Sequence, residues 1–280
     1  MTVGGAFLLS LYGGTGDAVS PLLAALYGQD SGRLRSSIPP SQALRSAEAN
    51  EKRDVAQVAR QPEVKRVTDA FAKAVAKATS PDALLRDPAA LEVILTANGL
   101  GDQLGRNALA REALTSDASK PDALANRLSD TRWAKAAKLY DFARAGLSLI
   151  RKPGVVESLA NGYAEVKWRQ SLDKATPGLS NALTFRARAS SVTSALDILG
   201  DPVLREVVTT ALKIPKQIAF QPLTAQSNAI TTRLDIARLK DPSFVDKFSQ
   251  RYLQAAAEAA TSDAGSDLAS LAVRASGLTA

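Results

Sequence analysis

Ser80-Pro81-Asp82-Ala83-Leu84-Leu85-Arg86-Asp87-Pro88-Ala89-Ala90-Leu91-Glu92-Val93-Ile94-Leu95-Thr96-Ala97-Asn98-Gly99 holds two helices and the bend between them. Asp at an N-cap accepts hydrogen bonds from free backbone N–H groups and faces the positive end of the helix dipole, and Pro at the first helical position loses no needed donor. The residue before Pro is pushed out of α geometry, so the helix that precedes Asp87 must end there and the chain must turn. Leu84, Leu85, Leu91, Ile94 and Leu95 then lie inside the elbow, and Gly99 supplies a left-handed C-terminal cap.

The same unit recurs. Leu124 to Leu128 precede Asp130, with Trp133, Ala137 and Tyr140 after it. Val192, Leu196 and Leu199 precede Asp201-Pro202, with Leu204, Val207, Val208 and Ala211 after it. Ile230, Leu234 and Leu239 precede Asp241-Pro242, with Phe244, Val245, Phe248 and Tyr252 after it. The four aspartates are 43, 71 and 40 residues apart, and one insertion near 150–185 accounts for the long interval. Asp87, Asp130, Asp201 and Asp241 are therefore read as structural helix caps, and short connections between apolar-faced helices predict an all-α, compact multi-helix bundle of repeated helical hairpins with N- and C-terminal extensions. Helices are expected over about 41–60, 63–79, 131–145, 155–173 and 179–190. Trp133, Tyr140, Phe142, Tyr163, Trp168 and Phe185 are expected as core anchors.

Four segments follow: an apolar, Gly-rich N-terminal interaction segment (1–30), a basic linker and polar helix (31–62), a helical core domain (63–255) and an Ala-rich C-terminal helix (256–280). Residues 3–28 carry one charge, Asp17, and neither a basic leader nor an unbroken apolar run, so neither a secretory signal nor a membrane span is expected there. Phe7, Leu8, Leu11, Tyr12, Leu22, Leu26 and Tyr27 are candidate interaction residues, as are Leu268 and Leu271 in the tail. Ala264, Leu268, Leu271, Ala275 and Leu278 follow spacings of 4, 3, 4 and 3, a short heptad-like seam that needs a partner surface.

The chain has no Cys and no His, which removes disulfides, thiolate nucleophiles, imidazole bases and the usual soft metal ligands. Freedom from Cys also suits export into an oxidising space. No catalytic, cofactor-binding or metal residues are assigned. Asn98-Gly99-Leu100-Gly101-Asp102 follows no strand and has no Lys-Ser/Thr after it, so it is no phosphate loop, and Asp102 is read as the cap of the next helix. Ser171-Leu172-Asp173-Lys174 is read as helix surface, and Asp197 and Asp201 as a pair broken by the capping role of Asp201. The net charge is +7, and residues 31–66 hold eight basic against four acidic side chains. With no aromatic between Tyr27 and Phe71, single-stranded nucleic acid has no stacking platform there, and nucleic acid is disfavoured as a partner.

The order of several short pieces resembles an uncharacterised all-helical family of alphaproteobacterial proteins, a domain of unknown function often encoded among flagellar genes. The pieces are Phe71, Leu84-Leu85 with Asp87, Ala97 with Gly99-Leu100, Ala125-Asn126-Arg127-Leu128-Ser129-Asp130 with Arg132-Trp133 and Phe142, and Phe185-Arg186. They continue through Asp197-Ile198-Leu199 with Asp201-Pro202, Val207-Val208, Ala211-Leu212 and Pro215 to Asp241-Pro242, Phe244, Phe248 and Arg251-Tyr252-Leu253, so the resemblance spans roughly 63–255. It implies a flagellum-associated, non-enzymatic structural or assembly protein whose partners are other subunits, flagellar axial or basal-body proteins or itself, exported through the flagellar apparatus. The alternative is a cytoplasmic adaptor or regulator that binds an acidic partner or nucleic acid through residues 31–66.

Overall fold

The computed structural model describes the backbone of residues 38–276 and the side chains of residues 38–260. Among these residues every regular element is helical. The candidate interaction residues Phe7, Leu8, Leu11, Tyr12, Leu22, Leu26 and Tyr27 lie outside the described residues, as do the side chains of Leu268 and Leu271.

Two groups of helices share one core. The first contains α1 (Pro40–Ala59), α2 (Pro62–Lys77), α3 (Pro81–Arg86), α4 (Pro88–Ala97), α5 (Asn107–Thr115), α6 (Leu124–Arg127), α7 (Thr131–Tyr140), α8 (Phe142–Ala145) and α9 (Val155–Leu172). The second contains α10 (Leu179–Arg188), α11 (Ala195–Leu199), α12 (Pro202–Ala211), α13 (Leu223–Thr231) and α14 (Pro242–Ser276). Helix α4 is the deepest element of the first group: it packs on α2, α3 and α9, and Ala90, Leu91, Val93, Ile94, Leu95 and Thr96 are buried. In the second group α10, α12 and α14 pack on one another, with Phe185 stacked on Phe248 at 5.4 Å. Helices α9 and α10 both pack on α1, which joins the groups. All six aromatic anchors are buried.

The elbows form as their chemistry dictates. The Asp87 carboxylate accepts from Ala90 N–H (2.9 Å), Asp130 from Arg132 N–H (3.0 Å), Asp201 from Val203 and Leu204 N–H (2.9 and 3.3 Å) and Asp241 from Ser243 N–H (2.9 Å). Gly99 closes α4 at φ 73°, with Leu100 N–H donating to Leu95 C=O at 2.8 Å. Asp197 accepts from Ser194 N–H in a capping box at the start of α11.

The polar helix expected over about 41–60 forms as α1, and its Ala43, Leu44, Ala47 and Val58 are buried against the body. Other expectations are corrected. The segment expected as one helix over 131–145 breaks at Asp141, which takes left-handed φ 44°, ψ 44°. Residues two apart on a continuous helix do not face each other, and the break lets Phe142 stack on Tyr140 at 5.2 Å. The run at 120–128 holds only the single turn α6, because the Asn126 amide donates to Ala118 and Lys120 C=O and folds the preceding residues into turns. The Ala-rich tail is no separate helix but continues α14 without interruption to Ser276.

Removing an N-cap side chain costs about 1 kcal/mol and removing a buried Trp about 3–5 kcal/mol. Urea unfolding of Asp87→Ala is therefore expected to show a loss of about 1 kcal/mol, and Trp168→Ala, buried between α9 and its neighbours, a loss several times larger.

Candidate functional site

Three turns that are remote in sequence meet at one point. Thr131 N–H, at the Asp130 elbow, donates to Gly200 C=O of the Asp201 elbow at 3.0 Å. Arg132 Nη1 donates to Gly99 C=O at the end of α4. The Asp130 and Asp201 elbows and the Gly99 turn thus form one junction, and a cleft of about 480 Å³ opens beside it between α9, α10 and the start of α12.

Three arginines line this cleft. Arg132 is 4% exposed and forms ion pairs with Asp130 (2.7 Å) and Asp102 (2.9 Å). Arg188 pairs with Asp201 at 2.7 Å, so the carboxylate that caps α12 also anchors the end of α10. A Cβ on Gly99 would come within 2.4 Å of Arg188 Nη2, so glycine is required there both for its positive φ and for the guanidinium beside it. Arg169 bonds Glu165 (2.5 Å), Glu51 (3.4 Å) and Thr184 (3.4 Å), while its buried Nε has no partner. Between them lie the amide side chains of Gln170 and Asn181.

Asp102 does not cap the next helix. It sits in a 3₁₀ turn (Gly101–Gln103), and its carboxylate instead receives Arg132, whose guanidinium it shares with Asp130. Burial works to raise the Asp102 carboxyl, but the hydrogen bonds of Arg132 and Gln103 and the arginine charge outweigh it and hold the group below the usual carboxylate range. The same carboxylates raise the Arg132 guanidinium against the opposing effect of its burial. At the other end of the cleft α10 begins at Gly178, which has no side chain to cap it, and Asp173 takes the role from outside by accepting from Ser180 N–H (2.9 Å) and Oγ. Burial pushes the Asp173 carboxyl up despite these bonds.

The chemistry of the cleft is that of bracing and polar recognition. Its cations are matched by carboxylates, and among the described residues no group of three or more Asp or Glu is placed to hold a metal ion. Ser171 lies outside the cleft, where its Oγ donates to Trp168 C=O. Sequence reasoning found the caps but not the arginines that share them. Arg132, Arg169 and Arg188 stand in ordinary helical runs; Asp130 and Glu165 are local partners of the first two, but Asp102, Glu51 and Asp201 reach these arginines only through the fold.

Residues 97–245, which contain the whole junction, match the family model described as protein of unknown function (DUF1217). The chain belongs to the DUF1217 family. A crystal structure of protein AGR_C_984 from Agrobacterium tumefaciens is similar to this DUF1217 chain, with a TM-score of 0.66 and 26% identity over 86% of this chain and 96% of that one. No curated protein matches it. No helix of the described residues is long and apolar enough to cross a membrane.

Arg132→Ala leaves the Asp130 and Asp102 carboxylates, 16% and 48% exposed, without their shared cation, and since water reaches both a loss of about 1–3 kcal/mol is expected in denaturant unfolding. A depressed carboxyl contributes stability that is present above its unfolded value near 3.8 and disappears as pH falls through its folded value. Acid titration of stability is expected to show this loss below about pH 4, and Asp102→Asn to flatten that limb, read by thermal midpoints between pH 2 and 6.

Proposed function

We propose that this DUF1217 protein is a non-enzymatic structural or assembly component associated with the bacterial flagellum, and that it works by subunit packing through the two ends of its chain. The observation that supports this reading is where α1 starts and how far α14 continues. Helix α14 packs against α1, and Glu48 of α1 and Asp246 of α14 both pair with Arg186 (2.5 and 2.6 Å). Pro40 and Ser41, at the start of α1, share a groove of about 680 Å³ with Gln250, Gln254 and Ala257 of α14. The two helices therefore run antiparallel, and α14 passes the start of α1. Its last described buried side chain is Leu253, yet the helix continues to Ser276. The heptad-spaced Ala264, Leu268, Leu271 and Ala275 thus stand on a helix that extends from the same pole at which α1 starts. A body in which α1 starts and α14 continues at one pole suits lateral packing between subunits. The flagellar assignment comes from the family resemblance read in the sequence.

A second reading, an adaptor that binds an acidic partner through residues 31–66, is favoured by one observation. Glu48 and Glu51 of α1 are turned toward Arg186 and Arg169, while Arg45, Lys52, Arg60 and Arg66 stay exposed, so the outer face is more basic than the composition of the stretch.

Deletion of residues 1–30 or of 261–280 is expected to leave the helical body folded by circular dichroism but to remove the chain from purified flagellar basal bodies and filaments, with impaired swimming. Normal flagella and swimming in both deletions would overturn the assignment. Association that weakens steeply between low and moderate salt would favour the basic face, since burial of apolar ends lacks that dependence.

A further inference from the structure

The face built by residues 195–230 carries a knob and a socket side by side. Phe220 is 89% exposed, and Leu223 and Leu196 are 57% and 53% exposed, in a body whose other described aromatics are largely buried. Nothing about the turn is loose. Lys216–Phe220 is a 3₁₀ helix entered through Pro215, and Pro222 starts α13 immediately after it, so two fixed φ angles bracket the knob. The Gln226 amide donates to Gln221 C=O at 2.8 Å and to Ala219 C=O at 3.4 Å and closes the turn from α13. A pre-organised aromatic of this kind loses little conformational entropy when it is covered.

Beside it lies a pocket of about 210 Å³ whose floor is Leu199, Ile214 and Ile230 and whose wall is Ile218. A dry apolar cavity of roughly 150 Å³ holds a benzene ring, whereas drug-sized ligands need roughly 300 Å³ or more. The socket is therefore scaled to one aromatic side chain. Phe220 is held by its braced turn with its ring in solvent, so it does not fill the socket of its own chain. The rim of the socket carries Arg205 next to Glu206, opposite charges that two copies facing each other can pair reciprocally.

We propose that this face is a self-association surface on which two copies of the chain exchange Phe220 into each other's Leu199–Ile214–Ile230 socket about a two-fold axis. The occupant is a second copy because knob, socket and self-complementary rim all sit on one face, which is what an isologous contact requires. With three exposed apolar anchors on each side the contact is small, and it belongs to the weak, reversible class. It is separate from the packing of the chain ends.

Sedimentation velocity of the full chain over ~1 µM to ~500 µM tests this, with Phe220→Ser removing the knob and Thr209→Phe filling the socket from its wall. Phe220 is exposed, so its replacement leaves the fold intact, which circular dichroism checks. The wild type is expected to shift from monomer to dimer across this range, and each variant to need at least about tenfold higher concentration. An equimolar mixture of the two variants is expected to associate more tightly than either alone, because one knob still finds one open socket. A wild type that stays monomeric, a Phe220→Ser chain that dimerises like the wild type, or a mixture no tighter than its components overturns the proposal. Association through the chain ends would survive Phe220→Ser and is thereby told apart.

Discussion

The carboxylate of Asp201 receives three hydrogen bonds in a place that is 2% exposed: two from the first N–H groups of α12 and one from Arg188 at the end of α10. A buried carboxylate must be satisfied by donors, and a buried helix start must be satisfied by acceptors. Here each need answers the other, and the guanidinium that completes the set belongs to a third element. Around this point the Asp130 elbow joins through Thr131 and the end of α4 joins through Gly99. The groups of helices on either side are apolar and would pack in many registers. The junction is what selects one.

In a chain without cysteine, bracing of this kind ties the helices together without disulfides. Arg186 links α1, α10 and α14, and Arg169 links α1 to α9, so the helices that join the two halves are tied by guanidinium groups over an apolar interior. A guanidinium suits the role because its planar fork addresses two acceptors at once and keeps its charge at every accessible pH. Isolated surface pairs such as Lys65–Asp69 contribute little by comparison, since water competes for both partners.

Several places on the outside of the described body stand out. The start of α1 and the extension of α14 share one pole, the outward face of α1 and α2 is basic, and the turn at Phe220 raises one aromatic ring into solvent. Each is a surface on which a contact can form.

Periodicity and turn chemistry make the helices, the four Asp elbows and the six aromatic anchors legible from the chain alone, because a cap, a proline and an apolar stripe act on neighbours within a turn or two. The same local rules misplaced Asp102 and the break at Asp141, where a distant arginine and a stacking ring outweighed the local preference. They were silent on the junction, since Asp102 and Gly99 meet Arg132, and Glu51 meets Arg169, only when turns and helices dozens of residues apart come within hydrogen-bond distance. They were equally silent on Phe220, whose exposure follows from how the turn that holds it, closed by Gln226 of α13, sits on the body. Local forces set which segments are helical and where they bend. Only the closed tertiary structure, in which every buried charge must find a partner, decided which bends meet and which apolar side chain is left outside.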